Sequence, residues 1–568
     1  MGITVADIAA ARERTLADGS FFELDEVELD GYTYPVFKHA PKTAIDVIQS
    51  ARNHGDIDFL VYQDQRYTYT TFFDAVDATA ASLKHDYRVS PSDRVAIAMR
   101  NNPEWLIAFT AITLLGGIPV PINSWGKTEE LAFAIEDCGA EVLVADRRRL
   151  ELLGAELDRL SLKVILADDQ PFDHPAVALM QDVIGRGSNL AYEPAATTPE
   201  DICLILYTSG STGFPKGVTH RNIALTNSLF NMLFQGMLVL DLEGGPREYK
   251  GGAERETPML TVPLFHGTGL LGGFYTPLML GQKVVMMYKW DALEALKLVE
   301  REKVTSLSTV PAILQDFLNH PEFDNYNTES MIRATGAGAA TPPELSRLIN
   351  DKLGNPSRSA GYAMTESIAV GSMMNGVIYD MKPAASGTVS PIMQIRCVDG
   401  DGKVLPQGEA GEFEMHGVCC TPGYWEKPEA NAKTFVDGRW MKTGDVGLID
   451  SDGFLFVTGR IKEIVIRGGE NIFPGDIETI AYEIDGVHEC VVFGEPDQAM
   501  GEELVMMVYS NAETPPTEAQ VREQLAERLA AYKVPRTIAF ADAPLPRNAS
   551  EKLHKLKVKE AFLAAKAG

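Results

Sequence analysis

Short apolar runs alternate with segments of helical period along most of the chain. "RVAIAM" (94–99), "IPVPIN" (118–123), "EVLVAD" (141–146) and "KVILAD" (163–168) are apolar at successive positions, as strands buried on both faces must be. Helical patterns start near Pro103 and Thr128 between them. This rhythm predicts parallel βαβ units. It resumes at "DICLILYT" (201–208), "TPMLTVPLF" (257–265), "GQKVVMMY" (281–288), "VTSLSTVP" (304–311) and "MIRATGAG" (331–338). The most apolar long run, "LIAFTAITLLGGIPVPI" (106–122), is broken by glycines and prolines and is short for a bilayer span. It predicts a buried helix and then a buried strand, with no transmembrane segment. "SLFNMLFQGMLVL" (228–240) is apolar on nearly every face and predicts a buried helix. "DLEGGPREYKGGAERE" (241–256) predicts a surface loop.

From about residue 385 the strands shorten and turn signals such as "DGDG" (399–402) and "SDG" (451–453) appear. They predict an antiparallel segment closing the large region. "GRIKEIVIRGGENIFP" (459–474) begins something new, a strand–helix–strand–strand–helix–strand unit ending in a lysine-rich tail. The expected class is α/β. An N-terminal domain over 1–459 is built of βαβ-type sheets, and a small α+β domain covers 460–568, with the boundary at Arg460–Lys462.

Composition narrows the function classes. The chain has 568 residues, too many for one ordinary core. Hydrophobic content of 45% and charged content of 23% are ordinary for a globular protein. A formal charge of −28 repels polyanions, so nucleic acid is excluded as a partner and any phosphate site must be local. Six cysteines without a CxxC pair, and ten histidines without an HxxxH pattern, support neither a disulfide framework nor a zinc site. Reduced thiols and an N-terminus, "MGITVADIAAARERT", without a signal peptide lead to the expectation of a cytoplasmic protein.

The loop in "ILYTSGSTGFPKGVTH" (205–220) carries the first chemistry. Glycines let backbone N–H groups approach an anion, hydroxyls add donors, and Lys216 adds a point charge. The spacing is not GxxxxGK[ST], because Pro215 stands five residues after Gly210 and Gly217 follows Lys216. It is not a GxSxG elbow either. On composition alone a phosphate-free surface loop stays open. "GTGLLG" (267–272) matches GxGxxG with Asp291 downstream, but close helix–strand packing is preferred over a dinucleotide fingerprint.

With "VPLFHGTG" (262–269), "GAGAA" (336–340), "GYAMTES" (361–367), "GYWEKPEA" (423–430), "WMKTGDVG" (440–447), "GRIKEIVIRGGENI" (459–472) and "LPRNASEKL" (545–553), the loop resembles the ordered motifs of the adenylate-forming enzymes. These are acyl-CoA synthetases, adenylation domains of peptide synthetases, and luciferases, and the resemblance spans roughly residues 45–560. It implies a large N-terminal domain and a small mobile C-terminal one. It also implies a two-step reaction. A carboxylate attacks the α-phosphate of ATP to give acyl-AMP and pyrophosphate, and a thiol then takes the acyl group and releases AMP. By that resemblance Thr208, Ser209, Gly210, Ser211, Thr212, Gly213 and Lys216 cradle the β- and γ-phosphates. Thr365 offers a hydroxyl to the α-phosphate, and Mg²⁺ takes oxygen from Glu366 and Thr208. Tyr362 stacks on adenine, while Gly361, Ala363 and Met364 share its segment. Gly336, Ala337 and Gly338 line the adenine and acyl side. Asp445 accepts from the ribose hydroxyls with Arg460 in support, and His266 gates the acyl carboxylate. Lys552 reaches carboxylate and α-phosphate in the first step; Lys462 is the hinge and Gly468 admits the thiol arm in the second. Three departures stand out: Glu551 replaces the usual glycine before Lys552, leaving Lys555 as a fallback, Ala363 replaces a glycine, and "PKGVTHRN" is a shortened connection.

Only a short basic tail, "KLHKLKVK" (552–559), follows the lysine motif, which favours free CoA as the acceptor over a carrier arm. That tail offers charge to CoA phosphates or is a solvated helix face. Methionines at 232, 237, 364, 373 and 374 suit flexible apolar walls or plain core. The expectation is therefore an AMP-forming acid–CoA ligase using ATP, Mg²⁺ and CoA on an apolar acid, medium- or long-chain fatty acids first. An aryl or alicyclic acid, a carrier-protein acceptor, and a non-catalytic nucleotide binder are the alternatives. A homodimer is a candidate assembly.

Overall fold

The computed structural model describes residues 3–567 apart from 209–214, 246–248, 337–342, 355, 469, 513 and 548–552, with backbone alone at 343, 344, 471 and 567. The first apolar runs form a wholly parallel five-stranded sheet. Its order is Ile118–Pro121, Arg94–Ala98, Val142–Ala145, Lys163–Leu166, Val177–Leu179. Helix Pro103–Leu114 starts where Asn102 accepts the Trp105 N–H at 2.8 Å and proline occupies the first turn. Every residue of that helix except Glu104 is buried, which explains why its sequence is apolar all round.

A second sheet has six strands in the order Arg333–Gly336, Ser306–Thr309, Pro258–Leu260, Val284–Met286, Asp58–Tyr62, Gln65–Thr68. It is parallel until the terminal hairpin of 58–62 with 65–68. The run 201–208 departs from the expected parallel rhythm. Ile202–Thr208 pairs antiparallel with Lys216–Arg221, with Thr208 opposite Lys216. The physical reason is length: a parallel partner needs a crossover of about a dozen residues or more, and the connection here is shorter. An antiparallel sheet built from Met393–Val398, Gly411–Gly417, Trp440–Ile449, Phe435–Val436 and Leu455–Arg460 closes the region, as expected.

The N-terminal segment is a strap that the hydrophobic pattern did not announce. Helix Val5–Thr15 and the hairpin Leu24–Leu29/Tyr32–Phe37 run along the buried helix Asn222–Glu243. The Ala44 N–H donates to Asn222 Oδ1 at 2.9 Å, and the Phe37 N–H donates to Asn227 Oδ1 at 2.8 Å. Phe22 packs edge-on to Phe230 and Phe234, and Ile8 and Ala11 share a core with Leu238 and Val239. That helix alone, among the described residues, is long and apolar enough to cross a membrane, and it is spent on the core.

Beyond Arg460 a five-stranded sheet gathers its own core of Val465, Ile472, Ile477, Val492, Leu504 and Leu525. Its strands are Val465–Arg467, Glu470–Ile472, Glu489–Asp497, Gly501–Tyr509 and Thr537–Ala541. Helices Pro474–Ala481 and Glu518–Arg528 cover it, and the lysine-rich tail is the helix Lys555–Ala567.

Candidate active site

The hairpin Ile202–Thr208/Lys216–Arg221 presents its connection at one end, so the glycine–hydroxyl loop emerges beside Thr208 and Lys216. Ser209, Gly210, Ser211, Thr212 and Gly213 lie outside the described residues. Lys216 stands with its Nζ 4.6 Å from the centroid of the Tyr424 ring. The Tyr424 hydroxyl donates to Glu366 Oε1 at 2.9 Å. Glu366 is 9% exposed. Burial raises its pKa, while the Tyr424 hydrogen bond and the charges of Arg460 and Lys216 pull it back.

Glu366 sits in the turn Thr365–Ser367, which ends in two consecutive left-handed residues, Ile368 at φ 45° and Ala369 at φ 60°. A buried β-branched residue there is strained backbone of the sort concentrated at functional sites. The turn is held by Ile368 N–H to Thr365 O at 3.0 Å and by the Ser228 hydroxyl to Ile368 O at 2.9 Å. Thr365 is half-buried, Met364 packs on the main core, and Ala363 and Gly361 are exposed. A Cβ on Gly361 would stand 2.7 Å from Ser372 O, so the neighbouring strand requires the glycine.

A second cluster surrounds Asp445, which is 5% exposed. Asp445 and Arg460 face each other across adjacent antiparallel strands, and Arg460 Nε meets Asp445 Oδ1 at 2.9 Å. The Tyr362 hydroxyl donates to Asp445 Oδ2 at 2.7 Å. Tyr362 is buried against Phe413, and that burial, with the Asp445 charge, raises its pKa. Ribose hydroxyls would meet a carboxylate whose oxygens already hold an arginine and a phenol, and the Tyr362 ring is engaged by the fold.

His266 is half-buried, with its ring 4.4 Å from that of Phe265. Asn101 pins the preceding turn, accepting the Leu264 N–H and donating to Val262 O, both at 2.9 Å. A Cβ built on Gly267 would lie 3.7 Å from Ala369 and 3.8 Å from Leu206, so the turns of His266 and Glu366 meet at the phosphate strand. A Cβ on Gly269 would fall 2.3 Å from Pro263 O, and Asp291 caps its own helix through the Glu294 N–H. Packing thus accounts for GxGxxG, as preferred from the sequence. Gly336 ends its strand beside Thr309, whereas Ala337 and Gly338 lie outside the described residues.

Lys462 occupies the exposed turn Ile461–Glu463, and Gly468 is a left-handed turn residue at φ 60° whose N–H donates to Met500 O at 2.8 Å. Lys552 and Glu551 lie outside the described residues. The fallback, Lys555, is occupied: its Nζ meets Glu478 at 2.9 Å and Glu463 at 3.0 Å. The methionines do not form one wall. Met374 is in the core with Ile8 and Tyr379, and Met237 is 46% exposed.

The donor set fits Mg²⁺. That ion binds through one or two carboxylates plus substrate phosphates and retained waters. Glu366 supplies one carboxylate, Thr208 a hydroxyl on the hairpin, and no cluster of three or more His, Cys, Asp or Glu stands ready among the described residues. An ion here would depend on phosphate oxygens.

Tyr424 and Asp137 are the two residues of this site that received no role from the sequence. Asp137 accepts from the Tyr207 hydroxyl at 2.8 Å and pairs with Lys427. For Tyr424 the only signal was the quoted "GYWEKPEA" itself, and Asp137 lies outside every quoted motif.

Residues 47–425 match the AMP-binding enzymes, and residues 476–552 match the AMP-binding enzyme C-terminal domain. A feruloyl-CoA synthase of Amycolatopsis sp is 32% identical over 481 residues, 84% of this chain and 90% of that protein. A long-chain-fatty-acid–CoA ligase of Mycobacterium tuberculosis is 30% identical over 509 residues, 88% of this chain and 94% of that protein. Among solved structures, o-succinylbenzoate CoA synthetase from Bacillus subtilis, in complex with its acyl-adenylate intermediate, aligns at a TM-score of 0.74 and 27% identity, over 90% of this chain and 97% of that one.

Proposed function

The chain belongs to the AMP-binding enzyme family, as an AMP-forming acid–CoA ligase, and we propose that its acid is an apolar carboxylate, with medium- and long-chain fatty acids first. ATP and CoA are its co-substrates. A carboxylate oxygen attacks the α-phosphorus, and the bond to the bridging oxygen breaks, so pyrophosphate leaves. The CoA thiol then attacks the acyl carbon, loses its proton, and AMP leaves. Lys216 and the adjoining loop hold the departing β- and γ-phosphates, and Thr365 faces the α-phosphate. Asp445 orients the ribose, with Arg460 and Tyr362 fixing its carboxylate. Lys552 neutralises charge at the α-phosphate in the first step. A magnesium ion between Glu366, Thr208 and the phosphates would supply further neutralisation of the leaving group.

The observation that carries this assignment is the meeting of Lys216 and Glu366 on one tyrosine beside a glycine–hydroxyl loop. The apolar acid is supported by the "GAGAA" segment, which has no charged residue to receive an ammonium group, and by the apolar helix Asn222–Glu243 next to the turn of Glu366. An aryl acid is the second assignment, favoured by the feruloyl-CoA relative. The division at Arg460–Lys462, with the smaller unit swinging about Lys462 between the two steps, belongs to the same proposal, as does a cytoplasmic setting.

The test is a screen of ATP- and CoA-dependent AMP formation over fatty acids of increasing length and ring acids. Pyrophosphate release should need the acid but not CoA, and thioester should follow on adding CoA. Lys552→Ala should lose acid-dependent ATP–pyrophosphate exchange while still making thioester from supplied acyl-AMP. Absence of exchange with every acid in the wild type would sink the assignment, and thioester formed only on a carrier protein would replace CoA as acceptor.

A further inference from the structure

Three kinds of contact meet on Tyr424, which is 9% exposed. Its hydroxyl donates to Glu366 Oε1, and its ring lies beside the Lys216 ammonium. Its backbone bridges antiparallel to Val218 on the phosphate hairpin, and its N–H donates to Asn431 Oδ1 at 2.7 Å. The flanking residues are tied to the same two elements. Gly423 O accepts from the Thr219 N–H at 3.2 Å and the Thr219 hydroxyl at 2.6 Å. The Trp425 N–H donates to Gly217 O at 2.8 Å, and the Thr421 N–H donates to Glu366 O at 2.7 Å. Tyr424 therefore cannot shift against the hairpin or against the Glu366 turn without breaking several of these bonds.

The chemistry of a phenol suits that place. A lysine and a carboxylate left to themselves in a buried site would pair, and each would neutralise the other. A phenol donates to the carboxylate without bringing a charge, and its ring face attracts an ammonium without neutralising it. Engaging Oε1 stops rotation of the carboxylate and leaves Oε2 for a metal–phosphate assembly. The ring keeps the ammonium in place before any phosphate arrives.

We propose that Tyr424 is a positioning residue that holds Lys216 and Glu366 apart and in place, the hydroxyl fixing the metal-facing carboxylate and the ring parking the phosphate-gripping ammonium. This rests on the assignment of Lys216 to phosphate and Glu366 to the divalent cation.

The two contacts are separable. Tyr424→Phe keeps the ring and removes the hydroxyl, and Tyr424→Leu removes both. ATP binding to the full-length protein is measured by titration calorimetry with and without Mg²⁺, alongside KM values for ATP and acid. Glu366→Gln serves as the control. In Tyr424→Phe, ATP binding without metal should be unchanged, and the gain in affinity on adding Mg²⁺ should fall by on the order of tenfold, the usual scale for a hydrogen bond to a charged group. In Tyr424→Leu, metal-free ATP binding should also weaken, by roughly fivefold. KM for the acid should hold in both variants. A full Mg²⁺ gain in Tyr424→Phe, with that gain lost in Glu366→Gln, overturns the hydroxyl's role. Metal-free binding in Tyr424→Leu equal to wild type, or tighter, overturns the ring's role. If Glu366→Gln keeps the Mg²⁺ gain, the assignment of Glu366 itself falls and the hydroxyl's role falls with it. A parallel drop in every constant and in Tm marks a merely structural tyrosine and also overturns the proposal.

Discussion

Glu366 and Asp445, as against Lys462 and Gly468, are held by different means. The two carboxylates are buried and each takes a short hydrogen bond from a tyrosine, Tyr424 or Tyr362, anchored in the surrounding sheets. Lys462 and Gly468 stand on turns at the start of the C-terminal sheet, where the contacts include a backbone bond from Gly468 to Met500 and the ion pair of Glu463 with Lys555. The difference matches two demands on one site. Stabilising charge that develops on phosphates needs donors fixed in advance, because reorganisation at the moment of reaction is costly. Under the proposed function, a lysine that serves one step and gives way in the next would need a boundary that can move.

The rigid side breaks most severely at its best-held carboxylate. Asp445→Ala removes the acceptor of both Arg460 and the buried Tyr362 hydroxyl. Acid-dependent ATP–pyrophosphate exchange should fall by roughly 10²–10³, the scale for losing a positioned polar group in a dry site, with KM for ATP rising. Exchange within a few-fold of wild type would mean that the ribose is held elsewhere.

The phosphate hairpin, Ile202–Thr208 with Lys216–Arg221, carries a proton-linked weakness on its buried side. His220 is fully buried, with no hydrogen-bond partner for either ring nitrogen among the described residues, and burial pushes its pKa down to about 3. An unfolded histidine titrates near 6.5. The unfolded chain therefore binds this proton first, and the stability that neutral His220 confers, present above about pH 6.5, is lost as pH falls toward 3. The span corresponds to roughly 5 kcal/mol. In denaturant titrations across that range, His220→Phe should show a shallower loss of stability than wild type, whatever the carboxylates contribute in both. Equal slopes would refute the assignment.

If the proposed function holds, the turn of Gly468 should respond in the second step and by less. Gly468→Ala places a Cβ 2.6 Å from Met500 Cε, a flexible end that can yield, so the larger cost is backbone, about 1–2 kcal/mol for a left-handed non-glycine residue. Thioester formation from supplied acyl-AMP should slow several-fold, while pyrophosphate exchange stays at the wild-type rate. Equal losses in both would place Gly468 in the rigid half.

Burial and period explain what the sequence disclosed. Strands apolar on both faces are visible without a structure because the βαβ sheet covers both faces, and 94–98, 142–145 and 163–166 fall within the runs that announce them. An apolar run does not name its partner, so 202–208 passed for one more parallel strand until its hairpin with 216–221 was seen. The strap was hidden because its strands fully bury only Leu29, Tyr34 and Phe37, and its helix only Ile8 and Ala11, too few to set up a period. At the site, Thr365–Glu366, Asp445 and Arg460 were named through the resemblance carried by the motifs that hold them. Tyr424 did not, since its meaning lies in a bond to a residue 58 positions away. Ile368 could not be foreseen at all, because a β-branched residue predicts negative φ.

Lys555 decides how far the comparison holds, with the smallest effect of the series. Its ammonium, 29% exposed on the side chain, joins Glu463 in the turn beside Lys462 to the more deeply buried Glu478. Burial raises the Glu478 pKa, and Lys555 opposes that rise. Lys555→Met should let it rise further. A carboxyl with a raised folded pKa is easiest to accommodate while protonated, so the destabilisation should be least in acid and grow as pH rises through that pKa, reaching about 1 kcal/mol for a half-screened pair. The turn at 461–463 loses one tether, so turnover should change by no more than about threefold, a factor worth under 1 kcal/mol. Pyrophosphate exchange should persist, because the pair places Lys555 in the scaffold of the smaller unit. Exchange abolished in Lys555→Met and intact in Lys552→Ala would exchange the two lysines' roles, and would make the boundary itself part of the first step.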